Sequence, residues 1–276
     1  MTAGPEPPAV AAYRVFSRDR DGGDGGNLAG VLLSERWPDD MRCRAREWAL
    51  PTVAFARFAT PRVIDTRLFT VDGELASCGH ASAAVAVEAS RTGVSSARLI
   101  VRSPGGSIEC RVGGESAAPS VTMTLEIGRW SVVKVPDGLG DLLGVPLADV
   151  PVARVDSGLD HLIVAVSDAA ALSSIALDHD RWRAFGRRNG VDTIGVLAIQ
   201  DDGVVHLRDV CAPIGDTEEA ASGTTASAVT WHLNRLGRGD EFEIHQGVDM
   251  GRPSLLRTAM CGAAVEVTGN VVPVLT

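Results

Sequence analysis

Cys78, Gly79 and His80 stand directly ahead of an Ala/Val run, in "LASCGHASAAVAVEA" (75–89). A second segment, "EEAASGTTASAVTWHL", repeats the arrangement with Glu218, Glu219, Ser222, Gly223 and Thr224 before its own apolar run. Each reads as the start of a buried helix. A helix N-terminus presents unsatisfied N–H groups and the positive end of the backbone dipole, so it attracts an anion, and glycine there lets a ligand approach the backbone. Two such starts facing one another would clamp a small carboxylate. A thiol, an imidazole and a carboxylate beside them supply the group types that move protons on and off a neighbouring carbon. Each group also has a plainer use: cysteine as a packing residue, histidine as a helix-start capping group, glutamate as a charge favoured by the dipole.

Gly79 and Gly223 lie 144 residues apart in a chain of 276, close to half its length. This spacing suggests two pseudo-symmetric halves, residues 1–128 and 129–267, with the last strand, 268–276, returning to the first half. The joining stretch "WSVVKVPDGLGDLLGVP" (130–146) has the proline and glycine content of a linker holding a short helix. Alternating apolar segments predict strands in "AAYRVFS", "TRLFTV", "ARLIVRS", "SVTMTLEI", "HLIVAVS", "TIGVLAIQ", "VVHLRDV", "FEIHQG" and "AAVEVTGNVVPVL". Helices are predicted over 39–50, 80–89, 178–190 and 224–237. Many strands with two apolar helices imply an α+β architecture, each helix wrapped by a sheet.

Composition narrows the function. Apolar residues make up 45% and charged residues 22% of the chain, the balance of a globular protein with a substantial core. A formal charge of −9 offers no basic surface for nucleic acid or anionic lipid. No apolar run approaches the length of a membrane span and no signal-type segment opens the chain, so a cytoplasmic location is expected. The five cysteines are odd in number and widely spaced, the pattern of reduced thiols, and neither C-x-x-C nor H-x-E occurs, which argues against a metal. "RDGGDGGNLAG" (20–30) lacks the Lys-Ser/Thr of a phosphate loop and reads as a loop leading into a turn at Gly26 and Asn27.

Five ordered motifs carry a family resemblance. "GGNLAGVLL" (25–33) is similar to G-N-P-x-x-V, and "ALPTVAFARF" (49–58) stands where N-L-S-E-T-A-F belongs. "LFTVDGELASCGHASAA" (68–84) is similar to F-T-P-x-x-E-x-x-L-C-G-H-A-T, and "RDVCAPIGDTEEAASGTTASA" (208–228) to R-x-F-A-P-x-x-G-x-x-E-D-P-A-T-G-S-A. "HQGVDMGRPSLL" (245–256) carries Q-G-x-x-M-G-R-P-S almost intact. Together they resemble the PhzF-like phenazine-biosynthesis isomerases, which share the diaminopimelate epimerase-like fold.

The resemblance implies two similar halves, each a curved mixed sheet around a central helix, with the active site in the cleft between them. It further implies a cofactor-free isomerase, expected as a homodimer, acting on a small carboxylate. The family's glutamate base is replaced by Thr52, and its E-D-P-A-T-G aspartate by Glu219. The resemblance therefore makes Glu219 the general base or shuttle, His80 its hydrogen-bond partner or acid, and Cys78 a reserve base. Gly79, Ala81, Ser82, Ser222, Gly223, Thr224, Thr225, Thr52, Asn27 and Asp72 form the expected substrate-binding set.

The leading expectation is migration of a double bond in an amino-acid-derived unsaturated cyclic carboxylate, in a natural-product pathway such as one building alkylated proline units. An epimerase or racemase is the second reading; the second cysteine of a two-thiol mechanism is absent. A catalytically inactive metabolite-binding relative is the third, suggested by the loss of the glutamate at Thr52.

Overall fold

Strand alternation is visible residue by residue in "RLIVRS", where Leu99 and Val101 are buried while Arg98, Ile100 and Arg102 face solvent. The computed structural model describes residues 10–19, 23–93, 98–115, 118–211 and 218–274. The first half runs β1 (Ala11–Val15), β2 (Asn27–Leu33), α1 (Met41–Trp48), β3 (Thr52–Thr60), β4 (Val63–Phe69), β5 (Glu74–Leu75), α2 (Gly79–Arg91), β6 (Arg98–Ser103), β7 (Gly106–Glu115) and β8 (Ala118–Glu126). After β9 (Trp130–Val132) and α3 (Leu139–Leu143), the second runs β10 (Ala153–Asp156), β11 (Asp160–Ala165), α4 (Ala169–Ser174), α5 (His179–Asn189), β12 (Thr193–Ile199), β13 (Val205–Cys211), β14 (Glu218–Glu219), α6 (Gly223–Arg235), β15 (Glu241–Gln246), β16 (Ser254–Cys261) and β17 (Ala264–Val274).

The pairings repeat. In the first half β2 and β3 are parallel, β3 and β4 antiparallel, β4 and β5 antiparallel, and β4 and β6 parallel across α2. In the second, β11 and β12, β12 and β13, β13 and β14, and β13 and β15 across α6 follow the same sequence of orientations. β17 joins the halves: its beginning pairs with β16 and β8, and its end, Val271 to Val274, pairs with β1. The fold is thus α+β with two pseudo-symmetric halves, each a curved mixed sheet around one helix.

Those helices, α2 and α6, are apolar on nearly every face because sheet surrounds them. Ala81, Ala83, Ala84, Val85, Ala86, Val87 and Ala89 of α2 are buried, as are Ala226, Ala228, Val229 and Leu233 of α6, and all join one continuous core. Short side chains let the strands close tightly around each axis. α1 covers the outer face of β2 and β3 through Met41 and Ala45, packed with Phe55 and Phe69. Trp182 and Phe185 of α5 do the same for β11 and β12.

Shorter elements escaped the alternation. β5 and β14 are two residues each, and α4 only six, too short for a period to register. The turn expected at Gly26 and Asn27 stops one residue earlier. Gly26 takes φ +76°, where an added Cβ would lie 2.4 Å from the Val15 carbonyl oxygen, and Asn27 already belongs to β2.

Candidate active site

The first residues of α2 and α6 meet over the Met123 methyl group. A Cβ added at Gly79 would stand 3.7 Å from it, and one added at Gly223 only 2.8 Å. Glycine at 223 is what allows this close approach, while a side chain at 79 would make an ordinary contact. Ser222 caps α6 by accepting from Thr225 N at 3.2 Å, whereas Cys78, the equivalent residue of α2, makes no side-chain cap.

Asn27 connects the two sides. Its Nδ2 donates to Glu219 Oε2 at 2.7 Å and to the Ala221 carbonyl at 2.6 Å, and lies 3.5 Å from His80 Nδ1. Asn27 Oδ1 accepts from Arg252 Nη2 at 3.4 Å, and that guanidinium also donates to the Gly26 carbonyl at 3.0 Å. Cys78 Sγ lies 3.4 Å from His80 Nδ1, and the Thr52 hydroxyl hydrogen-bonds the same thiol. Carboxylate, imidazole and guanidinium thus converge on one amide side chain, and the thiol joins them through His80.

The surroundings set the protonation states. Burial pulls the His80 imidazole down to about 4, with the Arg252 charge adding to the effect. His80 is therefore neutral near pH 7, the state in which one ring nitrogen donates a hydrogen bond and the other accepts one. Burial pushes the Cys78 thiol up to about 12, and the Glu219 charge adds to the rise. Cys78 therefore holds its proton at neutral pH.

Glu218 and Glu219 separate by strand alternation. Glu218 points away from the cleft into a bidentate pair with Arg208, at 2.9 and 2.8 Å, buried on both sides. Glu219 then points the other way, to Asn27, and stands opposite Asp209 in the β13–β14 pair. Ser82 spends its hydroxyl on the Cys78 carbonyl at 2.9 Å, Ala81 is fully buried packing, and Thr225 faces inward to Asp209 at 2.8 Å. Thr224 and Ser222 keep partial exposure at the helix start. Asp72 does not join them: it is exposed in the β4–β5 turn, where its backbone bonds Arg42 and Thr70.

Residues outside the expected set hold the cluster in place, and they explain the motif at 245–256. Gln246, fully buried, donates from Nε2 to the Glu219 carbonyl at 2.7 Å and accepts from Ser222 N at 3.1 Å, clamping both ends of the turn that carries the carboxylate. Ser254 Oγ accepts from Gly26 N at 3.1 Å, and Arg252 reaches Gly26 and Asn27. The motif itself was the available signal; the direction of each side chain was not. Asp209, buried behind Thr225, carried no signal beyond its place in an alternating strand. Among the described residues no group of three or more His, Cys, Asp or Glu could hold a metal ion, and no helix is long and apolar enough to cross a membrane.

Comparison with known proteins agrees with this fold. The family profile described as "Phenazine biosynthesis-like protein" (PhzC-PhzF) matches residues 20–276. Trans-2,3-dihydro-3-hydroxyanthranilate isomerase from Pseudomonas aeruginosa is 30% identical over 216 residues, covering 74% of each chain, and the Pseudomonas chlororaphis enzyme of the same name is 28% identical over 214 residues at the same coverage. The crystal structure of a PhzF-family phenazine biosynthesis protein from Bacillus anthracis superposes with a TM-score of 0.81 at 17% identity, covering 96% of both chains, a likeness of fold. The protein belongs to the PhzC-PhzF family of phenazine biosynthesis-like proteins and is, as an enzyme, an isomerase.

Proposed function

We propose that the protein is a cofactor-independent isomerase that moves a proton, and with it a double bond, within a small amino-acid-derived unsaturated cyclic carboxylate. The observation that carries this reading is the 2.7 Å bond from Asn27 to Glu219, which fixes a carboxylate beside His80 and between two helix starts. The substrate carboxylate is held by the α2 N-terminus with help from Arg252. Glu219 takes a proton from an allylic carbon of the ring and returns it two positions along, the electron pair of the broken C–H bond becoming the new double bond. Neutral His80 orients a polar substituent, and Thr52, in place of the family's glutamate, shapes the pocket wall.

The class suits the substrate named for the Pseudomonas relatives, an unsaturated cyclic amino acid. Thr52 argues for a related rather than identical compound, in secondary metabolism such as the assembly of alkylated proline units, because its hydroxyl is no base near neutral pH. The enzyme is proposed to work as a cytoplasmic homodimer.

The test is incubation in D₂O with unsaturated cyclic amino acids and dihydroaromatic carboxylates, following absorbance and isotope uptake. Glu219→Gln should lower turnover by about 10²- to 10⁴-fold, the usual contribution of a general base. Undiminished turnover in that variant would overturn the assignment. One observation favours a second reading, epimerisation: Cys78 keeps its proton and feels the Glu219 charge, so thiol and carboxylate could serve as acid and base on opposite faces of one carbon. Deuterium uptake at an α-carbon with loss of optical activity, and no shifted chromophore, would select it.

A further inference from the structure

Beneath the α6 start lies a carboxyl group that the proposed chemistry leaves unused. Asp209 is 1% exposed, and its Oδ2 accepts from Thr225 Oγ1 at 2.8 Å while Oδ1 has no partner. Thr225 Oγ1 lies 2.9 Å from Ser222 Oγ, which lies 3.2 Å from Thr224 Oγ1. Three hydroxyls therefore run in an unbroken row from the partly exposed helix start to a fully buried acid.

The fold's internal repeat shows how unusual this acid is. Asp209 faces Glu219 in the β13–β14 pair as Leu68 faces Leu75 in the β4–β5 pair, so the first half places a buried leucine where the second places a carboxyl. Packing alone is met by leucine. A carboxyl buried with one unpaired oxygen costs stability and asks for another reason.

We propose that Asp209 is the inner end of a proton wire, Thr224–Ser222–Thr225–Asp209, which gives the cleft a second proton-handling group opposite α2. With Asp209 ionised, Thr225 donates to it, Ser222 donates to Thr225, Thr224 donates to Ser222, and the free lone pairs of Thr224 face the cleft. A proton leaving the substrate bonds to the Thr224 oxygen as each hydroxyl passes its own proton inward and Asp209 takes the last. The electron pair of the broken bond stays on the substrate. With Asp209 protonated, every donor reverses and the row returns a proton to the cleft.

The groups facing Asp209 are few. Thr225 of α6 hydrogen-bonds it at Oδ2, the hydroxyls of Thr193 on β12 and of the α6 cap residue Ser222 favour its charged form, Glu219 stands opposite it in β14, Glu218 acts through its charge, which Arg208 neutralises, and His161 of β11 touches Thr225 and Thr193. Burial holds that imidazole at about 3, hence neutral, and raises Asp209 to about 6, so the acid changes state close to working pH.

The proposal rests on the isomerase reading and deepens it. The test compares Asp209→Asn, Thr225→Val and Glu219→Gln in the full chain, with trans-2,3-dihydro-3-hydroxyanthranilate and the cyclic amino-acid panel as probes. In wild type, pH-difference infrared spectra of the free protein should show a buried carboxylic acid band titrating near pH 6, absent in Asp209→Asn and shifted in Thr225→Val. Asp209→Asn should lower kcat by about 10²- to 10⁴-fold with KM nearly unchanged and abolish the kcat limb near pH 6. Thr225→Val, which keeps the acid but interrupts the row, should also lose the limb and at least tenfold in kcat; it decides the matter if Asp209→Asn does not fold. An active wild type whose limb and kcat survive in Thr225→Val overturns the wire alone. A wild type inert towards all probes overturns the isomerase reading and the wire with it.

Discussion

Replacing Arg208 by methionine removes the group that turns Glu218 outward and thereby turns Glu219 inward. Arg208 gives two bonds to the Glu218 carboxylate, at 2.9 and 2.8 Å, and two more from Nη1 to the Leu172 and Ile175 carbonyls at 3.2 and 2.9 Å. Both partners of the pair are more than nine-tenths buried. Breaking a buried pair by removing one partner costs about 3–5 kcal/mol, because the remaining charge has no compensation. The Leu172 and Ile175 carbonyls, which lose their donor at the same time, add to that cost.

Urea unfolding of wild type, Arg208→Met and Arg208→Met/Glu218→Leu at pH 7 reads this directly. The single variant should lose about 3–5 kcal/mol, while the double variant recovers most of the loss because the buried carboxylate leaves with its partner. Isomerase turnover should fall in the single variant, since β14 carries Glu218 and Glu219 together. A loss below about 1 kcal/mol at pH 7, or a double variant no more stable than the single one, would refute the account of how Glu219 is aimed.

Gly247→Ala should cost several kcal/mol and depress activity with it. The residue has φ +72°, and an added Cβ would lie 2.3 Å from the Arg252 carbonyl oxygen and 2.6 Å from that of Ala220, so the turns bearing Arg252 and Glu219 must both move; an unfolding midpoint equal to wild type would contradict this. The stability–pH profile should carry two opposite signatures. His80 and His161 have lowered folded-state pKa values, about 4 and about 3, so the stability they contribute is full above about pH 6.5 and is lost as pH falls below it. Asp209 is raised to about 6 from 3.8, so its contribution is full below about pH 4 and is lost as pH rises through 6. Unfolding free energies of wild type relative to Asp209→Asn should therefore shift by about 2 kcal/mol in favour of wild type between pH 7 and pH 4, and parallel curves would refute that burial.

The sequence by itself determined the two helix starts, the strands long enough to alternate, the family motifs and the replacement of a glutamate by Thr52. These are local matters: an Ala/Val run after glycine, or a period of two over six residues, is written in adjacent positions. Alternation also says that neighbours such as Glu218 and Glu219 face opposite ways, but not which one faces the cleft. Only the tertiary structure decided that, through Arg208 closing on Glu218 and Gln246 gripping the turn from 24 residues away. It likewise decided that Asn27 reaches Glu219 across 192 residues of chain, and that Arg252 leans on Asn27. Asp72 lies within a strong motif and yet ends on an exposed turn, while Asp209, an unremarkable acid in a strand, is sealed beneath α6. The reason is that burial and charge environment belong to the packed halves together. A carboxyl group acquires its pKa, its partners and its direction only when strands far apart in sequence close around it.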